Sequence, residues 1–255
     1  MNKKIVFQTV GSLLKLEALF MLLPLIVSLI YREKTALAFI IPIVSLLIVG
    51  TLLTLKKEKQ ATIYAKEGLA IVGLAWIFMS LFGSLPFIIS GEIPNIIDAL
   101  FETISGFTTT GASILNDIES LSNGILFWRS FTNWIGGMGI LVFVLAFSAK
   151  QNSRNMYILR AESPGPQVGK IVSKVQYTAR ILYLIYIALT VLEMVLLSFG
   201  MPVFDSIVHA FATAGTGGFS IKNDSIAAYQ SGYIETVITI FMILFGVNFS
   251  IFYLI

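Results

Sequence analysis

The sequence predicts an all-α membrane protein: two N-terminal spans, then two units that each run span, short helix, loop, span. Three observations predict it. The chain of 255 residues is 56% hydrophobic and only 12% charged, whereas a soluble domain carries about 25% charge. Apolar segments at about 10–30, 36–55, 68–90, 124–149, 177–200 and 232–255 are each long enough to cross the hydrocarbon, which takes roughly 20 helical residues. Finally, one motif occurs twice, 107 positions apart, each time between two of the later spans.

In chain order, residues 1–60 form a two-helix extension and 61–150 the first repeat unit. A linker follows at 151–176, and the second unit occupies 177–255. The N-terminal Met1-Asn-Lys-Lys and its apolar run is not a signal peptide, because the run is long, contains Pro24 and lacks a small-residue cleavage site. The loop at 150–176 carries Glu162-Ser-Pro-Gly-Pro166, which cannot continue a helix. It reads as a kinked linker, with a docking surface for a cytosolic partner as the alternative.

Charge sets the orientation. Lys3, Lys4, Lys56, Lys57, Lys59, Lys66, Lys150, Arg154, Arg160, Lys170 and Lys174 fall on one side of the six spans, and only Arg32, Lys34 and Lys222 on the other. The crowded side is cytoplasmic by the positive-inside rule, so the N-terminus is cytoplasmic. Both copies of the motif then enter from outside, beside Glu92, Asp98, Glu102, Asp117, Glu119, Asp205 and Asp224. An acidic outer mouth concentrates cations. The net charge of +3 comes from loop clusters and does not point to nucleic acid.

The repeated motif runs from Asp98 through Thr108-Thr109-Thr110-Gly111 to Asp117, and from Asp205 through Gly215-Thr216-Gly217-Gly218 to Asp224. Asp98, Thr109, Gly111, Ser113, Ile114, Asn116 and Asp117 each meet an identical residue in the second copy. Pro94 with Asp98, and Pro202 with Asp205, suit the start of a short helix. Its C-terminal end then carries partial negative charge toward the membrane interior. The glycines permit a backbone on which consecutive carbonyls face one axis. Thr/Gly backbone held at membrane depth is how carbonyls are offered to a dehydrated cation.

Other polar residues in the spans invite structural readings first. Arg129, near Trp128 and Trp134, is expected to snorkel to the interface, with a pore-side charge repelling cations as the alternative. Glu193 is expected to be protonated or paired within the bundle, with a direct role in transport as the alternative. Gly136, Gly137 and Gly139 are expected to allow close helix packing, with a hinge as the alternative. His209 aligns with Glu102 and is expected to face neighbouring protein. Asn248 either bonds across helices or lines an inner cavity. With one histidine, no cysteine and no paired carboxylates in a span, the chain lacks the groups an intramembrane enzyme needs.

Phe107-Thr-Thr-Thr-Gly-Ala-Ser113, Trp128-Arg-Ser-Phe-Thr-Asn-Trp-Ile-Gly-Gly-Met-Gly139, Glu162-Ser-Pro-Gly-Pro166 and Gly217-Gly-Phe-Ser220 resemble the membrane subunits of the Trk/Ktr/HKT potassium-transporter superfamily. The two extra N-terminal spans resemble its TrkH branch. The resemblance implies potassium uptake across the inner membrane through a channel-like pore of four membrane–pore–membrane repeats, without an organic cofactor. It also implies a homodimer in membrane lipid, seated on a cytosolic nucleotide-binding ring of the TrkA kind. Carbonyls of Thr108, Thr109, Thr110 and Gly111, and of Gly215, Thr216, Gly217 and Gly218, are then expected to replace the potassium hydration shell, with Phe107 and Phe219 packed behind them. Glycine at 111 resembles potassium-selective members, and serine there marks sodium-transporting relatives. Two of four repeats are present, so the chain is expected to be the N-terminal half of a subunit near twice its length. The alternatives are a sodium- or proton-coupled symporter and a non-conducting assembly subunit. An inverted-repeat transporter fits less well, since its halves have opposite topology and both copies here enter from one side.

Overall fold

The computed structural model describes residues 2–55, 65–139 and 175–247. These residues are helical, with no strand among them. The elements are α1 (Lys3–Phe20), α2 (Leu22–Ile30), α3 (Ala36–Thr54), α4 (Ala65–Gly83), α5 (Leu85–Ser90), α6 (Ile96–Phe107), α7 (Asn123–Met138), α8 (Val175–Leu197), α9 (Val203–Ala214), a 3₁₀ turn at Ser225–Tyr229 and α10 (Gly232–Gly246). Lys3–Ile30, Ala36–Thr54, Lys66–Ser90 and Ala179–Leu197 are long and apolar enough to cross a membrane.

The spans are more broken than the sequence suggests. The first begins at Lys3 and turns at Met21, three residues before Pro24, because proline removes a helix donor and crowds the preceding turn. The third breaks at Ser84, just ahead of Pro86, and ends at Gly91 with φ +78, a left-handed C-cap suited to glycine. The carbonyl of Gly83 at that break accepts a bond from the Trp128 indole N–H at 2.8 Å. Within the span expected at 124–149, α7 runs to Met138, and Gly139 at its C-cap adopts φ +76. Residues 140–149, the linker with Glu162–Pro166, and Asn248 lie outside the described residues.

The N-terminal spans pack through small residues. A Cβ on Gly11 would sit 2.9 Å from the Gly50 carbonyl, and one on Gly50 would sit 2.8 Å from that of Gly11. Only glycine lets backbones approach so closely, and close approach is what drives helix association in lipid. Lys15 then reaches across to donate to Thr54 Oγ1 at 2.6 Å.

Glu33, in the turn before α3, ties this extension to the rest. Its carboxylate accepts from the backbone N–H of Asn123 at 2.7 Å and of Gly124 at 3.0 Å, and from Asn123 Nδ2 at 3.1 Å. An anion there satisfies the orphan donors of α7 and opposes its positive N-terminal end. Glu33→Gln is expected to destabilise the protein by about 1–2 kcal/mol, read as a lowered melting temperature in detergent. An unchanged melting temperature would show that the cap contributes nothing.

An aromatic cluster joins the two repeat units. Phe131 of α7 stacks on Trp134 at 5.4 Å and meets Phe211 of α9 at 5.1 Å. Tyr186 of α8 packs on Trp134 at 5.4 Å and donates to its carbonyl at 2.8 Å. Tyr183 donates to the Gly139 carbonyl at 2.9 Å, just where α7 ends.

Candidate functional site

The two Thr/Gly segments leave their short helices through one and the same turn. In the first, N–H groups of Thr108, Thr109 and Thr110 donate to the carbonyls of Ile104, Gly106 and Ser105 at 2.8, 2.9 and 2.9 Å. Gly111 N–H also reaches Ser105 O, at 3.4 Å. In the second, Gly215, Thr216 and Gly217 donate to Phe211, Thr213 and Ala212 at 3.3, 2.7 and 3.2 Å, and Gly218 to Ala212 at 3.3 Å. Every partner is displaced by the repeat length. Convergence of N–H groups on one acceptor leaves the carbonyls on the other side. Among the described residues, no carbonyl of 108–111 or 215–218 accepts a hydrogen bond.

Backbone handedness repeats as well. Gly111 and Gly218 have φ of +71 and +78, and Thr109 and Thr216 each have φ +54. The glycines were legible from the sequence. The threonines were not, because a β-branched residue disfavours this region at a cost of order 1–3 kcal/mol. Their identity in both copies was the available signal.

The short helices begin differently from expectation. Asn95, not Asp98, caps α6, its side chain accepting from Ile97 N–H at 2.9 Å. Asp98 lies within the first turn. Pro202 precedes α9, and Asp205, within its first turn, accepts from the Tyr229 hydroxyl at 2.6 Å.

Each helix also holds the extended segment that follows its loop. Glu102 accepts from Ser113 Oγ at 2.9 Å and from Ile114 N–H at 3.2 Å. His209 takes the same place in the second unit, with Nε2 2.9 Å from Ser220 Oγ and Nδ1 2.8 Å from the Asp205 carbonyl. His209 thus faces protein, as its alignment with Glu102 suggested. No cluster of three or more potential metal-ligating side chains occurs among the described residues.

Arg129 corrects the sequence expectation. It does not snorkel outward but is buried, 1% exposed. Its Nε bonds Glu102 Oε1 at 2.5 Å, its Nη1 donates to the Ser220 carbonyl at 2.8 Å, and its guanidinium lies 3.7 Å over the Phe219 ring. One cation therefore clamps the first short helix to the segment after the second loop. The acidic mouth is correspondingly smaller than predicted. Glu102 is neutralised by Arg129, and Glu119 pairs with Lys222 at 3.0 Å. The Lys222 bond holds the Glu119 carboxyl below its usual range. Asn223 completes this outer latch, accepting from Ile118 N–H at 2.7 Å and donating to Asp117 at 3.2 Å.

Helix α7 is the shared wall between the loops. A Cβ on Gly136 would lie 2.2 Å from the Phe107 carbonyl, and one on Gly137 would lie 3.0 Å from that of Ala214. These glycines serve close packing, as expected. The loops themselves touch: a Cβ on Gly111 would meet the Gly217 carbonyl oxygen at 1.7 Å. Phe107 and Phe219 are both buried, Phe107 against Trp76 and Trp128 at 5.8 and 6.2 Å.

Two carboxyls are buried behind the short helices. Glu17 of α1 lies by Gly83, close to Thr103 and Phe107. Glu193 of α8 lies beside Thr213, whose hydroxyl proton goes instead to the His209 carbonyl at 2.8 Å. Among the described residues, no oxygen of either carboxyl has a hydrogen-bond partner.

Comparison with known proteins agrees with this architecture. The sequence model of the TrkH family, described as "Cation transport protein", matches residues 36–255. The Trk system potassium uptake protein TrkH of Salmonella typhimurium is 40% identical, over 98% of this chain and 53% of its own length. The Trk system potassium uptake protein TrkG of Escherichia coli is 34% identical, over 99% of this chain and 53% of its own. The crystal structure of the potassium transporter TrkH from Vibrio parahaemolyticus superposes with a TM-score of 0.83 at 32% identity, over 98% of this chain and 51% of that one. The chain spans about half the length of the curated relatives it matches. On its sequence, its two in-register loops and its fold, the chain is a membrane protein belonging to the TrkH family of cation transport proteins.

Proposed function

We propose that this chain supplies half of a potassium-selective pore for uptake across the cytoplasmic membrane. The observation that carries the proposal is the pair of loops with equivalent backbone bonds, whose N–H groups are all committed and whose carbonyls accept no hydrogen bond among the described residues. Such carbonyls, from Thr108 to Gly111 and Gly215 to Gly218, replace the hydration shell of a dehydrated cation. Potassium is the ion named for the relatives. Two loops cannot encircle an ion, so two more complete the ring, supplied by sequence beyond Ile255 or by a second chain. A dimer, a cytosolic nucleotide-binding ring as regulator and a cytoplasmic N-terminus belong to the same proposal.

A second reading, coupled symport, is favoured by Glu17 and Glu193, since an intramembrane carboxyl without a partner is where a transported proton would reside. One experiment separates the two. The complete gene product, purified into liposomes, is expected to carry potassium in preference to sodium without accompanying proton movement. Potassium flux tied to proton flux would establish symport, and no selective flux would overturn both readings. Sequencing the gene past the codon for Ile255 shows whether two further Thr/Gly repeats follow.

A further inference from the structure

His209 is the one histidine among the 255 residues, and it is buried, 3% exposed. Its hydrogen bonds fix where its proton sits. Nδ1 lies 2.8 Å from the Asp205 carbonyl, which can only accept, so Nδ1 carries the hydrogen. On a neutral ring Nε2 is then bare and accepts, and its partner at 2.9 Å is the Ser220 hydroxyl. Ser220 Oγ therefore donates to the ring, while it accepts from the Lys222 backbone N–H at 3.0 Å.

Ser220 is also the residue that Arg129 grips. Its carbonyl accepts from Arg129 Nη1 at 2.8 Å, and the ring of Phe219, one residue earlier, lies under the guanidinium. The segment leaving the second loop is thus held at two points, by a permanent cation and by a neutral imidazole. In the first unit Glu102, at the position equivalent to His209, holds Ser113 and is ion-paired with Arg129. The second unit places there a ring that changes charge between about pH 5 and 8.

A second proton can add to the ring only at Nε2. It takes away the acceptor of the Ser220 hydroxyl and puts an N–H in its place. Two donors, Nε2–H and the Lys222 N–H, then face Oγ, and the hydroxyl hydrogen loses its partner, which is costly in a buried site. Burial opposes the new charge, Asp205 favours it and Lys222, itself paired with Glu119, opposes it. The other ionisable groups on the elements around α9 are Arg129 of α7 with its partner Glu102, Glu193 of α8 beside Thr213, and the exposed Glu235 of α10. Tyr229 meets the imidazole edge-on at 5.5 Å and gives its hydroxyl proton to Asp205.

We propose that Nε2 of His209 is a proton-binding site that regulates the second loop: the neutral ring holds Ser220 in place, and a proton there releases it. This rests on the loops being the ion filter.

The test measures potassium flux through the complete gene product in liposomes, with pH equal on both sides and lowered from about 8 to about 5. Wild-type flux is expected to fall about tenfold for each pH unit below its midpoint, the slope of one proton. His209→Gln keeps an acceptor for the hydroxyl and cannot titrate, so its profile is expected to be flat. Melting temperature in detergent checks folding. If His209→Gln does not fold, Ser220→Ala decides, since it leaves the ring in place and removes the hydroxyl through which the ring acts. A flattened profile in the folded variant supports the proposal, and a wild-type profile overturns it. Nitrogen NMR of the His209 ring gives a second reading. The proton at neutral pH is expected on Nδ1, and finding it on Nε2 overturns the proposal. The two failures are distinguishable. Selective potassium flux at neutral pH, with an unaltered profile in the variant, removes only the role of His209. No selective flux from the wild type at neutral pH removes the filter reading and this proposal with it.

Discussion

Replacing Arg129 with methionine is expected to destabilise the protein by about 3–5 kcal/mol, the usual result of breaking a buried ion pair from one side. The substitution removes the bonds to Glu102 and to the Ser220 carbonyl together, along with the cation over Phe219. Glu102 is left buried, with Ser113 Oγ and Ile114 N–H as its remaining donors. The double variant Arg129→Met with Glu102→Gln is expected to recover most of the stability, because replacing both charges with neutral groups is often close to neutral. Ion flux is not expected to recover with it, since the tie between the first short helix and the second loop is still missing. Melting temperatures of the two single variants and the double variant, set beside potassium flux, check this. A double variant no more stable than Arg129→Met alone would show that the ion pair is not what Arg129 contributes.

Gly111→Ser is expected to lower the potassium-to-sodium permeability ratio at least tenfold while the protein still folds. Two effects act together. The residue has φ +71, where a side chain costs roughly 1–2 kcal/mol. The new Cβ would also lie 1.7 Å from the Gly217 carbonyl oxygen, so the second loop has to move. Displacement of a carbonyl by a fraction of an ångström changes which cation it fits. A permeability ratio equal to wild type removes Gly111 from the ion path.

Much of this arrangement was legible in the sequence. The repeat showed itself because the two loops carry identical residues where the backbone is most constrained, at Thr109 and Thr216 and at Gly111 and Gly218. The equivalence of His209 and Glu102 followed from the same register, and both hold the serine that the alignment pairs. Helix ends were less legible. Asp98 and Asn95 are both capping residues by type, and only the chain direction at Asn95 selects it. Gly139 looked like one packing glycine among three, yet it ends α7 with a left-handed residue.

By itself the sequence determined the membrane class, the repeat, the loop residues and the family. Those depend on composition and on local backbone demands, which each residue carries with it. Only the tertiary structure decided the partners of the buried polar groups. Arg129 in an apolar span beside tryptophans reads as an interfacial anchor, and nothing local says that Glu102 and the Ser220 carbonyl will stand within reach. Asn133 looks unexceptional until Gly215 and Gly217 are seen to have made room for it. The cost of burying a charge or an amide depends on what surrounds it, and those surroundings come from residues up to 91 positions away.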